Sequence, residues 1–213
     1  NEDSIFVLDD YQIPISKKIR DLILENPLPK LVDSPKYMLA TPMMALKNAA
    51  QKAEKEGFIP IILSDSLEGE ACIKGKEMAE LAIKIKNNKK YKNINLCKPI
   101  LLLSGGETTV TVKGDGKGGR NTEFMLSMAI NLAKTSGINA LAIDTDGIDG
   151  KEDNAGAFIS QETLNKADFH KINPQEYLEN NDSYSFFKLI DDLIYTSPTL
   201  TNVNDFRAVL IQP

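Results

Sequence analysis

Cysteine and histidine are nearly missing from this chain: Cys72 and Cys97 are the only cysteines and His170 the only histidine. With no C-x-x-C spacing, neither a disulfide framework nor a Cys/His zinc site is supported, and a reducing compartment, the cytoplasm, fits. Long apolar runs are lacking too. None approaches the ~20 residues that span a bilayer, and no charged-then-apolar leader opens the sequence, so no membrane role is expected. Nor is there an excess of positive charge. The formal net charge is −5, whereas a protein that grips nucleic-acid phosphates needs a positive surface, which excludes a dedicated nucleic-acid binder. The one basic cluster, the lysines between Lys84 and Lys98, lies among asparagines at the end of an expected helix and reads as solvated surface.

What is present suffices for a folded core, since 42% of the 213 residues are hydrophobic. The chain opens at Asn1 in polar sequence without an initiator methionine, which reads as a fragment or a processed product. Behind Ser16 as a cap, Ile19, Leu22 and Ile23 recur at helical spacing up to Glu25, and Pro27–Pro35 reads as a linker. Tyr37–Ala40 reads as a short strand, and Thr41-Pro42 as a cap with proline at the first position of a helix over Met43–Glu56. Ile59–Leu63 is an expected strand and Glu68–Lys86 an expected helix. Pro99–Leu103, a continuous apolar run, predicts a buried strand with Ser104–Glu107 at its carboxyl end. Thr108–Lys113 alternates Thr with Val and predicts a half-exposed strand, followed by a glycine-rich loop, Gly114–Gly119, and a helix near Asn121–Lys134. Asn139–Ile143 is a strand emptying into Asp144–Gly150. Helical segments are expected around Gln161–Ala167, Pro174–Leu178 and Tyr184–Ile190, and strands near Leu193–Tyr195 and Arg207–Ile211. This alternation predicts an α/β fold, a largely parallel sheet with helices on both faces in a Rossmann-like three-layer arrangement.

Ligands of such sheets bind outside the carboxyl ends of strands, so the loops Ser104–Glu107, Gly114–Glu123 and Asp144–Gly150 are expected to converge. Gly105, Gly106, Gly118 and Gly119 let backbone N–H groups approach an anion, Arg120 offers a forked guanidinium, and Arg120 and Asn121 fall at a helix N-terminus. That mixture suits a phosphorylated ligand. The plainer reading is that the glycines make tight turns and that Arg120 pairs with Glu107 or Glu123. Asp144, Asp146 and Asp149 can hold Mg²⁺ directly or through water; equally, they can accept backbone N–H groups within an acidic turn. An EF-hand is excluded because Ala155 stands where the bidentate acid belongs. Asn202, Asn204 and Asp205 sit in a polar loop able to orient a small hydroxy acid or simply to make side-chain turns. Gly114–Gly119 contains G-x-G-x-x-G, so a dinucleotide site must be weighed; against it stand the Thr/Val alternation of the preceding strand and Asp115 in the loop. His170, isolated in polar sequence, reads as a surface residue and not as the proton donor that hydride transfer needs.

Three stretches carry a resemblance. They are Ser104-Gly105-Gly106-Glu107-Thr108-Thr109-Val110-Thr111-Val112, Gly118-Gly119-Arg120-Asn121-Thr122-Glu123, and Asp144-Thr145-Asp146-Gly147-Ile148-Asp149-Gly150, continued by Thr199–Arg207 and Asn180–Ser183. Together they resemble the MOFRL family of glycerate 2-kinases, some of which carry the label hydroxypyruvate reductase. The resemblance implies ATP- and Mg²⁺-dependent phosphorylation of D-glycerate at its 2-hydroxyl, in a cleft between two domains. It implies that residues 1–33 are a remnant of an N-terminal domain and its linker, and that 34–213 form the C-terminal α/β domain, with the family region at about 98–211. The missing N-terminal domain would carry a catalytic lysine, so the chain alone is expected to be inactive. Within the resemblance Arg120 and Asp146 are the candidate catalytic residues, and Asp144 and Asp146 the candidate metal ligands. Gly105, Gly106, Glu107, Gly118, Gly119, Asn121, Glu123, Asn202, Asn204 and Asp205 are the candidate phosphate- and substrate-binding residues. The expected partners are a sugar acid and a nucleotide, with assembly into a homo-oligomer left open. An NAD(P)-dependent hydroxypyruvate reductase and a non-catalytic carboxylate- or nucleotide-binding module are the alternatives.

Overall fold

A computed structural model describes residues 2–26, 35–88, 90, 91, 94, 95, 97–133 and 135–213. Residues 27–34 of the expected linker Pro27–Pro35 lie outside the described residues, as do the side chains of 89–96 within the lysine cluster. The chain divides into two units, Asn1–Leu39 and Ala40–Pro213. The first holds helices α1 (Glu2–Asp10) and α2 (Lys17–Glu25), the latter started by Ser16, whose hydroxyl accepts the Ile19 N–H. Neither helix buries a residue. No strand forms at 37–40: Tyr37, Met38 and Leu39 are exposed and unpaired, and an apolar run without a neighbouring strand has no ladder to join.

In the second unit, α3 (Pro42–Lys55) starts where Thr41 accepts the Met44 N–H and Pro42 tolerates the first turn. There follow β1 (Ile59–Ser64), β2 (Gly69–Glu70), α4 (Ala71–Asn88), β3 (Lys90–Tyr91), β4 (Ile94–Asn95), β5 (Ile100–Gly106), β6 (Thr108–Thr109), α5 (Arg120–Leu132), β7 (Ile138–Asp144) and β8 (Gly156–Ile159). Then come α6 (Thr163–His170), α7 (Pro174–Glu179), α8 (Ser183–Leu189), β9 (Leu193–Ile194) and β10 (Asp205–Ile211). Among the described residues no helix is long and apolar enough to cross a membrane.

The main sheet has the order β1-β5-β10-β7-β8-β9 and is mixed. β1, β5, β7 and β9 share one direction, as a largely parallel sheet would have it; β10 and β8 run against them, so β1 and β5 are the parallel neighbours. The last strand of the chain is thus wedged into the middle of the sheet. Helices cover both faces. Ile100 and Leu102 of β5, Ala140 and Ala142 of β7 and Val209 and Ile211 of β10 join a core with α4 and α5, while Gly105, on the opposite face of β5, meets Leu46 and Pro42 of α3. α4 and α5 approach tightly at Gly75, where an added Cβ would stand 2.2 Å from the Phe124 carbonyl oxygen, so only glycine allows this approach.

Candidate active site

The register of β10 builds the site. Asp205 lies opposite Gly106, the end of β5, and opposite Asp144, the end of β7, so three strand ends meet along one edge. Gly106 turns the chain away with φ of +107°, against Leu67, and leads into Glu107. α5 then aims its first residue at the same edge.

Arg120 joins these ends. Its Nε donates to Asp205 Oδ1 (2.9 Å), Nη1 to Glu107 Oε1 (2.5 Å) and Nη2 to Asp144 Oδ2 (2.7 Å). A guanidinium has five N–H donors; two remain beyond these three. The group is about a quarter exposed, on the wall of an open cleft of about 630 Å³ lined also by Glu107, Thr108, Gly118, Gly119, Asp146 and Asn202. Asp205 is buried; its second oxygen accepts from Arg207 Nη2 at 2.6 Å, and Oδ1 also accepts from Asn121 Nδ2 at 2.8 Å.

The start of α5, from which Arg120 projects, is capped from another loop. Gly119, the cap position of α5, has no side chain to offer; instead Asp149 enters from the loop after β7. Its carboxylate accepts from the N–H groups of Asn121 (2.9 Å) and Thr122 (2.8 Å) and from the Thr122 hydroxyl (2.9 Å). A Cβ on Gly119 would stand 2.3 Å from Asp149 Oδ1, so the glycine makes room for a capping group from elsewhere. Burial pushes the Asp149 carboxyl up, against the pull of these donors. The positive end of α5 is therefore already neutralised.

The glycine-rich loop is likewise tied inward. Asn181 Oδ1 accepts the N–H groups of Lys113 and Gly114, Asn180 takes those of Asp115 and Gly116, and Asp182 takes that of Lys117. Gly114 and Gly116 are glycines because this turn lies where their Cβ atoms would be, both 2.4 Å from its nearest atom. Gly118 and Gly119 remain on the cleft wall.

Asp144 accepts the Asp146 N–H at 3.1 Å, and Asp146 accepts the Ile148 N–H at 2.9 Å and Asn202 Nδ2 at 3.2 Å. Burial raises the Asp144 carboxyl to about 6, helped by Asp146 and Asp205 and opposed by the Asp146 N–H and the Arg120 cation. Because the folded state holds this proton more tightly than an unfolded chain, the stability it contributes is full below about pH 4 and lost as pH rises to about 6. Asp144→Asn is expected to remove that slope: urea midpoints taken from about pH 4 to 7 should fall less in the variant than in the parent. Parallel profiles would assign the dependence elsewhere.

Of the candidate residues, Glu107, Gly118, Gly119, Arg120, Asp144, Asp146 and Asn202 come together around the cleft. Gly105, Gly106, Asn121, Glu123, Asn204 and Asp205 do not line it. Asn121 and Asp205 lie beneath Arg120, fully or almost fully buried, and Asn204 shapes its loop by accepting from Thr145 through its carbonyl. Glu123 faces a second cavity of about 280 Å³ with Glu70, Cys72 and Asn181; burial raises its carboxyl and the Asn181 amide, 2.9 Å away, pulls it back. Asp149 is a helix cap, away from the cleft lining. Among the described residues no three or more His, Cys, Asp or Glu side chains are grouped to hold a metal ion. His170 is exposed at the end of α6. Arg207, 1% exposed, is the residue that sequence reasoning missed; the one signal was an arginine at an inward position of an alternating strand.

The family model described as the MOFRL family matches residues 100–205. A protein of Agrobacterium vitis named "Putative hydroxypyruvate reductase" is 43% identical over 214 residues, covering 98% of this chain and 48% of that protein. The D-glycerate 2-kinase of Thermotoga maritima is 36% identical over 211 residues, covering 99% of this chain and 50% of the relative. The crystal structure of glycerate kinase from Thermotoga maritima matches with a TM-score of 0.89 at 35% identity, over 99% of this chain and 50% of that one. The chain spans about half the length of the curated relatives it matches.

Proposed function

The chain belongs to the MOFRL family through residues 100–205, and from that premise we propose that it forms one wall of the active site of a D-glycerate 2-kinase, which moves a phosphoryl group from ATP to the 2-hydroxyl of D-glycerate. The observation that carries this reading is Arg120, held by three carboxylates at a cleft with two N–H groups to spare. Phosphoryl transfer spreads negative charge over oxygens that protein groups must stabilise, and a cation fixed before the reaction does so without reorganising. Gly118 and Arg120 would meet the phosphates and Asn202 the sugar acid, with Gly119, whose N–H goes to the Thr122 hydroxyl at 2.9 Å, shaping the wall between them.

Mg²⁺ fits the cleft as a partner of the nucleotide. It favours oxygen ligands, takes one or two carboxylates and completes its shell with phosphate oxygens and water. Asp146, whose Oδ2 meets only the Asn202 amide at 3.2 Å, suits such a role better than Asp144, which Arg120 engages. When bound, the ion supplies charge neutralisation on the phosphates.

A dinucleotide reductase is the weaker reading. A pyrophosphate needs free loop N–H groups, and those of Gly114 and Gly116 are taken by Asn181 and Asn180. A facing domain supplies the other wall of the cleft, so this chain by itself turns over no glycerate. The test is the protein in its natural full length: glycerate-dependent ADP formation is expected. Hydroxypyruvate-dependent NADH oxidation in its place, or nucleotide binding with no turnover, would overturn the kinase.

A further inference from the structure

We infer that Arg207 is a positioning residue that sets, through Asp205, the direction in which Arg120 faces the cleft; its kinetic consequence rests on the kinase reading, its structural one does not. In β10 the residues Asp205, Arg207, Val209 and Ile211 all point inward and are 2%, 1%, 1% and 0% exposed. Alternation in a central strand calls for an apolar side chain at the second of these. An arginine stands there with Nε and Nη1 lacking a hydrogen-bond partner. Burying such a cation is costly, and an apolar residue of similar volume is often the more stable choice. The arginine therefore calls for a role beyond packing.

Its remaining contacts supply one. Nη2 donates to Asp205 Oδ2 at 2.6 Å and to Thr108 Oγ1 at 3.1 Å, and the guanidinium carbon lies 5.0 Å from the centre of the Phe124 ring. With one oxygen held, Asp205 has only Oδ1 to offer outward, and that oxygen takes Arg120 Nε at 2.9 Å and Asn121 Nδ2 at 2.8 Å. Arg120 is thus gripped by its Nε, leaving Nη1 and Nη2 for Glu107, Asp144 and the cleft. Were Asp205 Oδ2 released, the carboxylate would be free to turn and take two nitrogens of Arg120 as a fork, drawing the guanidinium inward. Thr108 lines the cleft as well, so one buried cation touches two groups on the cleft side of the sheet, Asp205 beneath Arg120 and Thr108 in the lining.

The experiment compares Arg207→Met, which keeps an unbranched stem beside Phe124, with Arg207→Lys, which keeps a cation for Asp205, in the full-length protein. The Arg120 Nε–H resonance, assigned by its loss in Arg120→Lys, is expected to exchange slowly with water in the parent and at least about tenfold faster in the Met variant, with protection retained in the Lys variant. Turnover is expected to fall about 100-fold in the Met variant, with KM for glycerate changed less than about threefold, because the loss is one of aim and not of binding. The Lys variant should recover at least about tenfold of that loss. An unaltered Arg120 Nε–H in a folded Met variant overturns the inference. Should the Met variant not fold, a folded Lys variant that loses protection overturns it equally. If the parent phosphorylates no glycerate while the resonance responds as expected, the positioning stands and the kinase reading falls.

Discussion

Arg120→Ala is expected to lower glycerate turnover by about 10²–10³-fold, the usual loss when a fixed charge stabiliser is taken from a reacting oxygen. KM should move little, since the charge that Arg120 meets is greatest in the transition state. The fold should survive. Asp205 keeps Arg207 and Asn121 as partners, and Glu107 is half exposed. Arg120→Lys makes the sharper comparison. A lysine is a point charge on a flexible stem and cannot satisfy Glu107, Asp144 and Asp205 from one plane, so the charge alone should restore only a small part of the rate. Steady-state kinetics on the full-length protein decide the matter; turnover within about threefold of the parent in the Ala variant would remove Arg120 from the chemistry.

Asp149→Ala should be the most destabilising single change at the site, by about 3 kcal/mol or more. Asp149 is fully buried and takes two main-chain N–H groups and the Thr122 hydroxyl at the start of α5. Removing it leaves the two buried N–H groups without an acceptor, each costing about 1–3 kcal/mol, while the Thr122 hydroxyl can still donate to the Gly119 carbonyl at 3.1 Å. It also removes the negative charge at the positive end of the helix. Asp149→Asn should recover part of the loss, because its amide oxygen replaces one acceptor while its NH₂ opposes another donor. Urea unfolding reports the difference directly; an Ala variant within about 0.5 kcal/mol of the parent would mean that α5 is capped by something else.

What could be read in advance follows the range of each interaction. Thr41-Pro42 and Ser16 start helices by bonds to residues three positions away, and both signals lie in adjacent sequence. The convergence of Arg120 with Glu107 and Asp144 was legible because loops at strand ends in this class of sheet share one edge. Asp149 was not legible as a cap, since its partners are 27 and 28 positions away and a cap from another loop leaves no local pattern. Beyond Thr109 the expected strand at 108–113 dissolves because side chains replace the ladder: Glu70 takes the N–H and hydroxyl of Thr111, and Asn181 the N–H of Lys113. β8 escaped notice as a run of four residues opening on Gly156, whose added Cβ would stand 1.9 Å from the Ala142 carbonyl oxygen; the glycine is a packing requirement of the sheet that resembles a breaker in sequence. Arg207 could be judged only once β10 was known to be central.

The central place of β10 also governs how this unit comes into being. Its two neighbours, β5 and β7, precede it in the chain, and among the described residues no strand pairs with their facing edges other than residues 205–211. A sheet lacking that strand would be two halves with open hydrogen-bonding edges, the kind of surface on which chaperones act. The strand that closes this gap also brings Asp205 and Arg207, so completing the sheet and gripping Arg120 by its Nε depend on the same seven residues.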